Sequence, residues 1–324
     1  MTADPFSDIL KLVDAETVIT GGVAAGGLWA IRFPAANKIK FCAVVKGNCW
    51  ACLDGEQEPL RAEAGDVFLL SAKRSFTLAS DLSAVPVEAA SLFAGNVDKI
   101  ATLDDGEDFV QIGGHVRLDP TSGGLLADVL PPLIHVRAGS PQAPVLRWLL
   151  DQLVHERTAE LPGASFASAQ LAQLMFVQIL RAHLETSGPL AVGWLSALGD
   201  KRIALAVRLM HNDPGRPWQL EDLAKAAAMS RTTFVVRFKT LAGVPPLTYL
   251  LNWRMRIAER ALRAENVPVS VLALSLGYSS ESAFSNAFKR TLGWLRSATG
   301  KPHENSIWNP RLSFWPAPVV AARR

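Results

Sequence analysis

Two stretches near the end of the chain carry the same spaced set of side chains, about fifty residues apart. The first reads Leu223-Ala224, Met229-Ser230-Arg231, Phe234, Phe238-Lys239 and Gly243. The second reads Leu272-Ala273, Tyr278-Ser279-Ser280, Phe284, Phe288-Lys289 and Gly293. In each, a serine is placed to cap a helix, and phenylalanines one turn apart hold one face of that helix against a core. The opposite face then presents hydroxyl, amide and cationic groups to something outside. Such groups suit hydrogen bonds to base edges and ion pairs with phosphates. A short helix, a tight turn and a second helix, twice in tandem, can place two helices in successive turns of a DNA major groove.

With Phe234, Phe238 and Leu241 turned inward, the first of these helices carries Arg231, Thr232, Val235, Val236 and Lys239 on its outer face. In the second, Phe284 and Phe288 face inward while Ser282, Ser285 and Asn286 face out. Asn286 has the amide that bonds adenine in bidentate fashion. Arg231, Arg237, Lys239, Lys289 and Arg290 are placed for phosphates or for local ion pairs, contacts that position without specifying. For any single one of them a solvated surface charge is an equal reading.

Charge along the chain agrees with this division. Residues 1–199 carry 14 basic and 22 acidic side chains, whereas residues 200–293 carry 14 basic and 7 acidic, within an overall +3. A basic block on an otherwise acidic chain is the footprint of a polyanion-binding module. The 324 residues suffice for two domains, and 49% hydrophobic content with a mean hydropathy of +0.17 implies globular folding. No apolar run approaches a membrane span, and Met1-Thr2-Ala3-Asp4-Pro5 lacks the start of a secretion signal. Three cysteines make no disulfide framework, so a reducing cytoplasm is the expected compartment.

The elements ahead of the basic block change character once. From about Ala15 to Ala94, short apolar runs alternate with turn residues. Leu28–Phe33, Phe41–Val45, Cys49–Leu53 and Val67–Leu70 read as strands, with Asp54-Gly55 and Gly65-Asp66 as turns. Strands of this length and spacing predict a small antiparallel barrel or jelly roll. Past about residue 125, Leu146, Leu149, Leu150, Leu153 and Val154, then Leu171, Leu174, Met175 and Ile179, recur at helical spacing, separated by Pro162-Gly163. These faces predict either core or a dimer interface. Asp200 is expected to cap a helix running to about His211, and Pro245-Pro246 to open a long helix through Leu262.

Cys42, Cys49 and Cys52 fall on two consecutive expected strands. If Lys46-Gly47-Asn48 is a hairpin loop, Cys42 and Cys52 are cross-strand partners at disulfide distance and form a candidate redox sensor. A two-residue Gly47-Asn48 turn dissolves that pair. The bland reading is that the cysteines fill the core as small hydrophobes. Cys49-Trp50-Ala51-Cys52 has redox spacing, but positions i and i+3 of a strand face opposite sides. A metal-dependent enzyme in this fold needs clustered His and Glu ligands, and no histidine precedes His115. No metal or cofactor is expected.

The basic block resembles the AraC-type family of transcription regulators. The resemblance lies in Trp218 to Ala224, Met229-Ser230-Arg231, Phe238-Lys239, Gly243, Pro246, Tyr249-Leu250 and Trp253-Arg254-Met255, then Leu276 to Phe284, Phe288-Lys289-Arg290 and Gly293. It implies that Thr232, Val235 and Val236 sit where bases are contacted. Two valines there reach only thymine methyls or aliphatic edges. Gly47, Asp54-Gly55 and Gly65 to Leu70 are similar to the cupin sensor of one subgroup. After Gly293 the chain departs from the family pattern, reading Trp294 to Pro302 where a Ser-Pro pair and a Tyr-Arg are usual. The tail is a natural extension or the product of a shifted frame.

The expected architecture is an all-β cupin-like barrel over 1–125 and a helical dimerisation or linker segment over 126–190. An all-α double helix-turn-helix domain follows over 191–299, with an atypical disordered tail over 300–324. The expected function is a sequence-specific DNA-binding regulator controlled by a small-molecule effector or an oxidant. Its expected partners are a double-stranded operator, a second copy and RNA polymerase, with no membrane. The alternatives are a cupin enzyme fused to a basic domain and a regulator with a defective second reading unit.

Overall fold

The computed structural model describes residues 4–292 apart from 36–37, 57, 72–73, 94–99, 105, 107, 160, 186–191 and 265–266. The tail expected over 300–324 lies outside the described residues. Two compact units emerge, and neither is a contiguous block. One joins Asp14–Asp119 to Leu130–Gly188; the other joins Met1–Val13, Pro120–Val129 and Pro189–Arg324. The expected boundaries 1–125, 126–190 and 191–299 miss this interleaving.

The chain starts with helix α1 (Pro5–Leu12), whose first turn is capped by the Asp4 carboxylate accepting the Phe6 N–H. Strands follow in order: β1 (Glu16–Ala25), β2 (Ala30–Phe33), β3 (Ile39–Lys46), β4 (Asn48–Leu53), β5 (Leu60–Glu63), β6 (Val67–Leu70), β7 (Phe76–Ala79) and β8 (Val87–Glu88). After the single turn α2 (Ala89–Leu92) come β9 (Ile100–Leu103), β10 (Phe109–Arg117), α3 (Gly124–Ala127) and β11 (Leu133–Val136).

The strands form two sheets and not a closed barrel. One runs β11-β6-β3-β10-β1-β9, the other β5-β4-β7-β2-β8. Between them lies a core in which Trp29, Cys42, Val44, Cys49, Ala51, Leu53, Phe68, Phe76, Leu78 and Phe109 are buried together. The expected hairpin of β3 with β4 does not form. The linking residue Gly47 has a left-handed φ of +75°, and a Cβ there would collide with the Asp108 carbonyl. The chain therefore passes from one sheet into the other at this point, so β3 pairs with β10 and β6, and β4 with β5 and β7. Asp54-Gly55 does turn the chain, with the Glu56 N–H on the Leu53 carbonyl at 3.0 Å. The Gly65-Asp66 turn is tied by one buried carboxylate. Asp66 accepts the N–H groups of Glu63 at 3.1 Å and Ala138 at 2.7 Å, and lies 2.8 Å from His135 Nε2.

Helices α4 (Ala143–Thr158) and α5 (Ala164–Glu185) complete this unit. Leu146, Leu149, Leu150, Leu153, Met175 and Ile179 are buried, so the leucine stripe is core.

The second unit is helical: α6 (Trp194–Gly199), α7 (Ile203–Asn212), α8 (Leu220–Ala226), α9 (Arg231–Ala242), α10 (Pro246–Ala264), α11 (Val269–Ser275) and α12 (Glu281–Leu292). Helix α1 packs within it. Phe6 lies 6.2 Å from the Trp194 ring, and Arg260 donates to the Lys11 carbonyl at 2.8 Å. His211 stacks on Trp253 at 3.9 Å, with Nε2 2.9 Å from the Tyr249 hydroxyl and Nδ1 3.3 Å from Asp8.

Candidate nucleic-acid interface

Each of the two repeats builds a helix, a turn and a second helix from the same local physics. In the first, the turn between α8 and α9 closes with the Met229 N–H on the Ala224 carbonyl at 3.0 Å. Ser230 then caps α9, its hydroxyl accepting the Thr233 N–H at 3.2 Å, and Gly243 ends the helix at a left-handed φ of 78°. In the second, the Tyr278 N–H meets the Ala273 carbonyl at 3.0 Å, and the Ser280 hydroxyl accepts the Ala283 N–H at 3.2 Å. Both turns place one residue in the left-handed region. It is Ala228 (φ 50°) in the first copy and Gly277 (φ 81°) in the second.

The phenylalanines hold the helices down as their spacing predicts. Phe234 and Phe238 are fully buried, 5.7 Å apart, and Phe238 meets the Tyr249 ring edge-on at 5.6 Å. Phe284 and Phe288, 5.5 Å apart, enter a cluster with Met255, Ala258, Leu272, Ala273 and Leu276. Helix α10 packs against both α9 and α12 and so joins the two units. A second connection comes from Arg254, which donates to the Pro214 and Arg216 carbonyls, beside a backbone approach of Gly215 to Gly277 too close for any Cβ.

Outward faces follow from this seating. Arg231, Thr232, Val236, Arg237 and Lys239 are exposed and Val235 is half-buried. On α12, Ser282, Asn286, Lys289 and Arg290 are exposed and Ser285 is half-buried. Two of the cations already have partners. Arg231 pairs with Glu221 at 3.0 Å between two exposed side chains, a geometry worth little. Arg237 donates to a single oxygen of Asp200, Oδ2, through Nε at 2.8 Å and through Nη2. Burial alone would raise the Asp200 carboxyl, but the Ile203 and Arg202 N–H groups and Arg237 outweigh it and hold it below the usual carboxylate range.

The structure separates the two candidate redox residues. Cys42 on β3 faces the inter-sheet core and has Phe68 and Gly113 as strand partners. Cys52 on β4 pairs with Thr77 in the other sheet and alternates to the face opposite Cys49, Ala51 and Leu53. They are not cross-strand partners, because the chain changes sheets at Gly47. Burial pushes the thiols of Cys42 and Cys49 up to about 12, which keeps both protonated. Among the described residues, no group of three or more His, Cys, Asp or Glu could hold a metal ion. Among the described residues, too, no helix is long and apolar enough to cross a membrane.

Comparison with known proteins agrees with both halves of this geometry. Residues 4–185 match a family model described as cupin, and residues 223–300 match one described as helix-turn-helix domain. A putative AraC-like transcription regulator of Streptomyces antibioticus is 41% identical over 290 residues, covering 90% of this chain and 96% of that protein. The chain belongs to the AraC-like transcription regulators. An AraC-like relative from Streptomyces lividans is equally similar, 41% identical over 90% of this chain and 95% of its own length. The DNA-binding domain of AdpA, solved with a target DNA, is 33% identical across 29% of this chain and 85% of that one, with a TM-score of 0.28. The two family matches and the 41% identical relatives make this AraC-like regulator a DNA-binding transcription regulator with an N-terminal cupin-fold domain.

Sequence reasoning missed Asp200 as the partner of Arg237, and it missed Arg202. Arg202 donates through Nε to the Ala227 carbonyl at 2.9 Å and through Nη2 to that of Ala228. Both partners lie about 25 to 37 residues away, beyond any helical or strand period. The one available signal was a lone acidic residue at the opening of a basic block.

Proposed function

We propose that this AraC-like regulator reads a duplex operator with the outer faces of α9 and α12. Thr232, Val235, Val236, Ser282, Ser285 and Asn286 contact bases, while Arg231, Lys239, Lys289 and Arg290 contact phosphates. The observation that carries this reading is the matched seating of the two helices. Each is serine-capped and pinned by two phenylalanines, with these side chains turned away from the core.

The protein acts in the cytoplasm by binding DNA and not by catalysis, as a homodimer that meets RNA polymerase at the promoter. A small-molecule signal in the cupin-fold unit shifts an equilibrium between two arrangements of the DNA-binding unit. A homodimer uses a surface other than the leucine stripe of α4, which its own core occupies. Against a defective second reading unit stands the seating of α12 as far as Leu292; the altered segment after Gly293 lies outside the described residues.

Duplexes selected from a random library by the full-length chain test the proposal. Enrichment of a motif with two blocks about one helical turn, roughly 10 bp, apart is expected. Selection that enriches nothing, or a motif untouched by substitutions on both α9 and α12, overturns it.

A further inference from the structure

The start of α7 grips the first recognition helix at two heights, and the start of α6 grips it at a third. Asp200 is nearly buried, its side chain 10% exposed. One carboxylate oxygen accepts the N–H groups of Arg202 and Ile203, each at 3.0 Å, and so belongs to the start of α7. Its other oxygen takes Nε and Nη2 of Arg237, midway along α9. Two residues on, Arg202 holds the carbonyls of Ala227 and Ala228, in the turn that launches α9. At the far end the Gly193 N–H donates to the Leu241 carbonyl at 2.8 Å.

The repeat supplies an internal comparison. Aligning Phe234 with Phe284 puts Ala287 where the first copy has Arg237. Ala287 is half-buried and has no charge to pair, so the second recognition helix lacks this polar tie. Its turn is instead fixed by the Gly215–Gly277 approach. An arginine at one copy and an alanine at the other is not what a shared phosphate contact would leave.

We infer that Arg237 is a positioning residue. Anchored by Asp200, it sets the rotation of α9 about its own axis and so aims Thr232, Val235 and Val236, without itself touching DNA. This rests on the reading of α9 as a base-contacting helix. Two arguments carry it. The Nε/Nη2 edge of Arg237, the edge that would grip a phosphate at two points, is already taken by an Asp200 oxygen, and the paired carboxylate offsets its charge. Moving it to a phosphate would also strand the Asp200 carboxylate, buried and without its counter-ion.

Titration of the full-length chain at several salt concentrations decides the matter, using a library-selected duplex and a scrambled duplex of equal length. Arg237→Ala should weaken the selected duplex about tenfold while leaving the scrambled one unchanged. The slope of log affinity against log salt should match the parent. Asp200→Asn keeps an oxygen for the α7 N–H groups and should weaken the selected duplex in the same way. If Arg237 is a phosphate ligand instead, Arg237→Ala weakens both duplexes alike and flattens the slope by about 0.9, and Asp200→Asn tightens binding. Either result overturns the inference. Lys239→Ala is the control, expected to flatten the slope. Should it leave the slope unchanged, α9 does not face the duplex, and the proposed interface falls together with the positioning role. Near-ultraviolet circular dichroism identifies any variant that fails to fold, and the remaining variant still gives the sign.

Discussion

Asn286 and Lys239 are both exposed on the outer faces of their helices, and the proposed reading gives their different chemistries different work. An amide can satisfy adenine on two atoms and no other base equally well, whereas an ammonium attracts any phosphate. Asn286→Ala should therefore cost about 1–3 kcal/mol on the best site and little elsewhere. Lys239→Ala should weaken all duplexes equally and flatten the salt slope by about 0.9. Equal losses for Asn286→Ala on selected and random DNA would remove it from the base-reading set. The thiols separate on the same principle of environment. Burial raises Cys42 and Cys49 to about 12, and the half-buried Cys52 is raised too, by burial and then by Asp54. Cys52 should thus be the first to react with iodoacetamide in the native protein, with Cys42 and Cys49 modified only on unfolding. Peptide mass mapping after timed alkylation checks this, and early labelling of Cys42 would contradict its placement in the core.

At the scale of elements, the two turns form a natural experiment. Ala228 and Gly277 occupy equivalent left-handed positions, but only glycine adopts that conformation without cost. Ala228 is exposed, so its methyl contributes no packing there. Ala228→Gly should stabilise the helical unit by about 0.5–1 kcal/mol. Gly277→Ala should destabilise it by more, because strain is joined by collision with the Gly215 carbonyl. Opposite shifts of the thermal midpoint are the expected readout, and a destabilised Ala228→Gly would show that the turn geometry is misassigned. Some elements were legible in the sequence, whereas the two longest strands, β1 and β10, and helix α1 were not. The strand at Val67–Leu70, the helix opened by Pro246 and both serine caps follow from period and cap chemistry alone. The cupin-like β fold was legible too, but not that its two sheets stay open, nor that Cys42 and Cys52 share no hairpin. Alternation reports which residues form strands, but the sheet a strand joins was decided at Gly47 by the proximity of Asp108, sixty residues on.

The whole molecule departs furthest from a left-to-right reading. Helix α1 and the segment at Pro120–Val129 belong with the DNA-binding helices, although nearly two hundred residues separate α1 from α7. No local pattern announces such a return, since an amphipathic helix states that it has a partner and not which one. Its polar fastening is titratable. His211 has no exposed side-chain surface, and burial lowers its pKa below the ordinary 6.5, opposed by the hydrogen bond and charge of Asp8 and by the charge of Asp4. The folded protein thus resists a proton that the unfolded chain accepts. Its contribution to stability is present above about pH 6.5 and is lost as pH falls through the folded value. Docking of α1 should weaken over that interval. Hydrogen exchange resolved to α1 and α10 peptides reads this directly, apart from His115 and His183, which are half-buried in the other unit. Protection of α1 should drop between pH 7.5 and pH 5 in the parent. His211→Phe keeps a ring against Trp253 but leaves the Tyr249 hydroxyl without its partner, a loss of about 1–3 kcal/mol. That variant should be less protected at pH 7.5 and nearly insensitive to pH below it. Equal pH sensitivity in parent and variant would place the titrating group elsewhere.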